Sequence, residues 1–244
     1  MKMKNFGISL FLAGLICVSA AGAPSRLIQN LEAGNSQTLV YYGTSLTEAG
    51  KWTVQLTEVL QARYGQLVNT ENCAKSGRDS VWGLANLASR VIPRNPDTVI
   101  IEFSMNDAIH SRNISVENAR ANLLSMVSAL QQANPDVEVI LLTMNPVGGE
   151  VAERTADHPY YRGNLPDYYQ MVRDVAASHG LQLIDLNAVW NDWIADHPGE
   201  FGLYVPDGVH PNKTACREVI LPGVLKGLGG GTVRLAVDSV ENVR

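Results

Sequence analysis

The feature that most limits how this chain can fold is a series of short apolar or β-branched runs separated by longer stretches of helical spacing. The runs are Thr38 to Tyr42, Thr98 to Phe103, Val137 to Thr143 and Leu181 to Leu186, with Val68 to Asn72 a weaker one. Two of them, TVIIEF and VEVILLT, are nearly continuous in apolar character, the pattern of strands covered on both faces in a parallel sheet. Between the runs, Trp52 to Tyr64 sets Trp52, Leu56, Val59 and Leu60 on one side. Val116 to Ala133 does the same with Ala119, Leu123, Met126, Val127 and Leu130, and Ser115 is its N-cap. Tyr168 to His179 stops at Gly180, and Asn212 to Leu228 stops at Gly229, with Pro222 expected to kink or interrupt the latter. Strand and helix in alternation imply right-handed crossovers. The expected fold is therefore a three-layer α/β/α sandwich on a mainly parallel sheet of about five strands.

A chain of 244 residues, with 45% apolar and 18% charged residues, suits one globular α/β domain. Its ends read differently. Lys2 and Lys4 precede an apolar run from Phe6 to Val18 and then small residues from Ser19 to Ala23, the order of a secretory signal peptide. The run is shorter than the roughly 20 residues that span a bilayer, so no stable membrane span is expected once cleavage has occurred between residues 20 and 23. The domain expected is 24–228, followed by a glycine-rich joint and tail over 229–244. The product would be secreted or periplasmic. A net charge of −5 without a basic run excludes a broad nucleic-acid surface.

In parallel α/β sheets, ligands bind beyond the carboxyl ends of the strands, so the residues there carry the functional reading. Ser45 follows the first strand in Tyr42-Gly43-Thr44-Ser45-Leu46-Thr47, at a strand-to-helix turn where backbone N–H groups are free. Alone it is better read as an N-cap. Thr47 also stands where the nucleophile elbow G-x-S-x-G needs glycine. Gly77 follows the second strand, where a backbone N–H can approach a ligand closely. Asn106 follows the third, where its amide can donate to an oxyanion. Asp207 precedes His210 by three residues, close enough to fold back onto one ring nitrogen and leave the other as a base. Asp107 and His110 repeat that spacing, so spacing does not choose between the pairs. Neither pair has further ligands at metal-binding spacing, and no metal is expected. The first strand-helix turn also lacks the glycine-rich cradle of a phosphate or flavin binder.

Taken in order, Gly43-Thr44-Ser45-Leu46, Gly77, Ser104-Met105-Asn106-Asp107 and Asp207-Gly208-Val209-His210 resemble the four blocks of the SGNH (GDSL-like) hydrolases. The resemblance extends from about Thr38 to Leu228. It implies a flavodoxin-like sheet, a catalytic triad of Ser45, His210 and Asp207, and an oxyanion hole of the Ser45 and Gly77 N–H groups with the Asn106 amide. No cofactor is implied. It also selects Asp207 and His210 over Asp107 and His110. Two positions depart from the family pattern: Thr44 stands where an aspartate is usual, and Ser104 where a glycine is usual.

The expected activity is a serine esterase on small esters or acylated carbohydrate, with O-acetyl groups the favoured acyl class. A lipase or thioesterase with the same machinery is the alternative, and a non-catalytic binding module is the reading from a different class. Trp82, close after Gly77, is the candidate for stacking on a sugar ring, and Asp107 is a second substrate-binding candidate. Cys73 and Cys216 remain once a signal peptide is removed, and an oxidising compartment permits one disulfide between them. If the resemblance holds, both flank one active-site rim.

Overall fold

The computed structural model describes residues 24–229. The signal-peptide reading, and the tail reading beyond Gly229, lie outside the described residues. Five strands form one sheet: β1 Gln37–Gly43, β2 Val68–Asn72, β3 Thr98–Glu102, β4 Glu138–Thr143 and β5 Gln182–Asp185. Their order is β2-β1-β3-β4-β5, and each neighbouring pair is parallel. All of the expected strands form, with ends displaced by a residue or so. The central strands β3 and β4 are buried along their whole length, as their continuous apolar runs require.

Helices cover both faces. Ser80–Arg90, Val116–Ala133 and Leu165–His179 pack together on one face. Arg26–Glu32, Lys51–Tyr64, Leu186–Asp196 and the segment Lys213–Gly229 cover the other. The Ser115 hydroxyl caps the long helix by accepting from the Asn118 N–H, and Gly180 closes Leu165–His179 in the left-handed region at φ 62°. Pro222 acts as expected. Lys213–Ala215 is a single α-turn, Cys216–Ile220 winds as a π-turn, and a regular helix resumes at Leu221. A wider turn before a proline absorbs the hydrogen bond its missing N–H cannot make. The helices Ser80–Arg90 and Leu186–Asp196 had no separate signal in the apolar pattern. Each is announced instead by a capping aspartate, Asp79 accepting from the Trp82 N–H and Asp185 from the Ala188 N–H.

The strand order reverses direction between β1 and β3. In open parallel sheets the crevice at such a reversal is where ligands bind. Gly43, the last residue of β1, pairs with Glu102, the last of β3, so the loops after both strands open side by side. No described helix is long and apolar enough to cross a membrane.

Candidate active site

β1 ends at Gly43, and the chain turns at once into a four-residue helix, Ser45–Glu48. Gly43 sits against β3 so closely that a Cβ there would lie 2.5 Å from the Glu102 carbonyl oxygen. Thr44 caps the short helix and Ser45 is its first residue, so the Ser45 N–H has no partner within the helix. Beneath the turn lies Glu102, 2% exposed. Its Oε2 accepts from the Thr44 hydroxyl at 2.8 Å, the Thr47 hydroxyl at 3.2 Å and the Thr44 N–H at 3.3 Å, while Oε1 is sealed without a partner. Burial raises the Glu102 pKa, and the Thr44 and Thr47 donors oppose that rise. At the position where the family pattern has an aspartate, Thr44 thus reaches a carboxyl supplied by β3. The one signal for it is a lone acid within the apolar run TVIIEF.

The Ser45 Oγ lies 2.8 Å from His210 Nε2, across 165 positions of chain. His210 Nδ1 lies 2.6 Å from Asp207 Oδ2. The other carboxylate oxygen, Oδ1, accepts from the backbone N–H groups of Val209 at 2.9 Å and His210 at 2.7 Å. Burial works against the Asp207 charge, but these donors outweigh it and hold the carboxyl below its usual range. The tight turn depends on Gly208, at φ 74°, where a Cβ would lie 2.1 Å from the Gly148 carbonyl oxygen. The Gly148 N–H in turn donates to the Gly208 carbonyl at 2.9 Å. Asn145, just beyond β4, donates to the Val209 carbonyl at 2.9 Å, and the Tyr169 hydroxyl holds the Asn145 carbonyl at 2.8 Å. Below, Phe201 packs edge-on against Trp190 and Tyr204 tilts over Trp193, propping the turn that leads into Asp207.

The loop after β2 is tied to the nucleophile's helix. Glu48 accepts from the Ser76 N–H at 2.6 Å and pairs with Lys75 at 3.1 Å. The Ser76 hydrogen bonds, aided by Lys75, bring the Glu48 pKa down to about 2. Gly77 adopts φ 72° in open space, so the backbone angle rather than crowding calls for glycine. Arg112 holds the far side of this loop, donating to the Gly77 carbonyl at 2.7 Å and pairing with Asp79. The Gly77 N–H has no partner among the described residues. Asn106 spends one amide hydrogen on the Arg78 carbonyl at 2.8 Å, leaving the second. Ser45, Gly77, Asn106, Asp207 and His210 are therefore gathered in one crevice. Arg112, Asn145 and Glu102 support it through contacts that no local spacing announces.

Three expectations need correction. Asp107 is 3% exposed and accepts from the Ser80 N–H at 2.7 Å, so it anchors a helix start and is not open to substrate. It makes no contact with the ring of the exposed His110, which packs instead against Tyr161, so these two form no second dyad. Trp82 is half-buried and already engaged, beside Tyr42 and with the Arg78 and Arg90 guanidiniums over its ring. That packing occupies the surface a sugar would need. Cys73 and Cys216 are both buried free thiols. The Cys73 thiol donates to the Arg90 carbonyl on one face of the sheet, while Cys216 lies beside Lys51 and Trp52 on the other. The sheet stands between the sulfurs, and they do not flank a common rim.

The site is open to solvent, with the side chains of His210 and Asp207 47% and 56% exposed. A cavity of about 820 Å³ lies elsewhere, along β5 and the helices beside it, and no residue of the crevice lines it.

The model of the GDSL-like Lipase/Acylhydrolase family matches residues 33–217. Among solved structures, an acetylxylan esterase from Geobacillus stearothermophilus superposes with a TM-score of 0.67 at 21% identity, covering 80% of this chain and 95% of its own. An alpha/beta hydrolase from the metagenome of Lake Arreo, Spain, gives 0.68 at 23% identity, covering 82% and 98%. At these identities the likeness carries the fold. A search of curated protein sequences finds no match.

Proposed function

This chain belongs to the GDSL-like Lipase/Acylhydrolase family, and on that premise we propose that it is a serine esterase acting through an acyl-enzyme on Ser45. The observation that carries the reading is the continuous hydrogen-bonded chain from Ser45 through His210 to Asp207, at 2.8 and 2.6 Å. His210 Nε2 takes the Ser45 proton as Oγ attacks the ester carbonyl, and Asp207 keeps the second ring proton on Nδ1. The charge that develops on the carbonyl oxygen meets the N–H groups of Ser45 and Gly77 and the spare amide hydrogen of Asn106. His210 then gives its proton to the leaving alcohol. Water, deprotonated by the same ring, attacks the acyl group, and the acid and free Ser45 result.

An open crevice offers little apolar wall to a long acyl chain, which favours short acyl groups on polar alcohols. Acetylated carbohydrate is the substrate class we favour, in keeping with the acetylxylan esterase whose fold it shares. The basic start and apolar run of the first twenty-odd residues support action outside the cytoplasm.

Ser45→Ala should abolish hydrolysis of short p-nitrophenyl esters and leave the thermal midpoint nearly unchanged. A fluorophosphonate should add one equivalent of mass to the wild type and none to the variant. Activity retained in the variant, or labelling at another serine, would overturn the assignment.

A further inference from the structure

Arg162 is 7% exposed, and no carboxylate forms an ion pair with it among the described residues. A buried charge is costly unless it is paired or put to use. Its Nε donates to the carbonyl of Met105, the residue before Asn106, at 3.0 Å, and its Nη1 reaches the Tyr160 carbonyl at 3.4 Å. Nη2 makes no hydrogen bond, yet it is not among the sealed polar atoms, so it keeps access to the outside.

A second guanidinium converges on the same point. Arg154 Nη1 reaches the same Tyr160 carbonyl at 3.5 Å, and it too lacks an ion pair among the described residues. Two like charges that share one carbonyl repel each other. Arg112, committed to Asp79, adds to that repulsion, and burial with Arg154 and Arg112 brings the Arg162 pKa down to about 10. Asp207 is the carboxylate whose field reaches Arg162, and its oxygens are already taken by His210 and Val209.

The loop holding both arginines is pinned beside the crevice. The His110 N–H donates to the Tyr161 carbonyl at 2.9 Å, and the Ser111 N–H to the Pro159 carbonyl at 3.1 Å, just after the Asn106 block. This position, held by those two bonds next to the oxyanion donors, is where a substrate group flanking the scissile ester would arrive. A planar carboxylate is the partner that paired guanidiniums match best.

We infer that Arg154 and Arg162 form a carboxylate-binding subsite beside Ser45, so that the preferred ester carries an anionic group close to the bond cleaved. The inference rests on the esterase reading above. The carboxylate can belong to the alcohol, as in an acetylated uronic acid, or to the acyl part, as in a half-ester of a dicarboxylic acid.

Two matched pairs separate these sources: acetylated methyl galacturonoside against acetylated methyl galactoside, and the succinyl against the butyryl ester of one fluorogenic alcohol. One charged member should exceed its neutral partner by about tenfold or more in kcat/KM, chiefly through KM, with the preference shrinking as salt rises. In Arg162→Gln and in Arg154→Gln the ratio should fall toward one. Because Arg162 is buried and its variant can lose the fold, the half-buried Arg154 and the wild-type ratio each test the subsite separately. Equal rates within both pairs, or a preference that survives in a folded Arg154→Gln and a folded Arg162→Gln, would overturn the inference. Calorimetry of Ser45→Ala with galacturonate and succinate, against galactose and butyramide, reads the same subsite without turnover. If no ester is cleaved, the esterase reading falls, while binding or its absence here still decides the subsite.

Discussion

Asp207, Glu102 and Asp107 are carboxyl groups of the strand end and loops that build the site, and the solvent each can reach decides what it does. Asp207 is half-open, and its backbone donors keep it ionised and able to orient His210. Glu102 is sealed beneath the Ser45 turn and serves to gather Thr44 and Thr47. Asp107 is sealed as well, and its pKa rises from 3.8 to about 7 because burial outweighs the Ser80 N–H that opposes it. The folded state therefore favours protonated Asp107. Its contribution to stability is fully present below about pH 3.8 and is lost as pH rises through about 7. Asp107→Asn, which keeps an acceptor for Ser80, should remove this dependence. The stability of the wild type relative to the variant should then fall between about pH 4 and 7, by at most about 1.4 kcal/mol per pH unit. Urea unfolding of both proteins across that range measures it, and a constant difference would contradict the shift.

At the scale of elements, the turn from Pro206 to His210 has little freedom. Gly208 combines φ 74° with a Cβ position 2.1 Å from the Gly148 carbonyl oxygen. Gly208→Ala would carry about 1–3 kcal/mol of backbone strain and also push the turn off Gly148. The expected outcome is a kcat reduced at least roughly tenfold with a smaller loss in thermal midpoint, because the His210 ring moves while the sheet does not. Kinetics and melting curves on the same preparation check this, and an unchanged kcat would show that the turn tolerates displacement. The same turn shows which parts of a site can be read from a sequence. The contact between Asp207 and His210 is local, three residues apart, but Asp107 and His110 share that spacing, and only the family resemblance chose between the pairs. Ser45 and Asn106 each follow an apolar run that announces a strand end, whereas Gly77 follows the weakly marked Val68–Asn72, and all three were legible mainly through the order of the four blocks. Arg112, Asn145, Arg162 and Glu102 were not, since each acts on a partner that only the folded topology brings near. The roles first given to Asp107 and Trp82 failed for the same reason. Proximity along the chain said nothing about burial.

Over the whole molecule, the centre of the sheet was readable because the fully buried strands β3 and β4 leave runs that no surface helix tolerates, and alternation with helices leaves few topologies open. What alternation does not encode is which face each crossover covers, and that is where the disulfide expectation went wrong. With Cys73 and Cys216 on opposite faces, alkylation of the denatured, unreduced protein lacking residues 1–20 should label both cysteines. A mass lacking both labels would require a rearranged sheet edge. The two links of the catalytic chain also differ in kind. The acid–base link closes within one turn, whereas the nucleophile meets its base across 165 positions. During synthesis Ser45 is made early and waits, unactivated, for nearly all the remaining domain to emerge and dock. A growing or truncated chain thus holds its reactive group silent by default, and hydrolytic competence reports that the segment following β5 has docked.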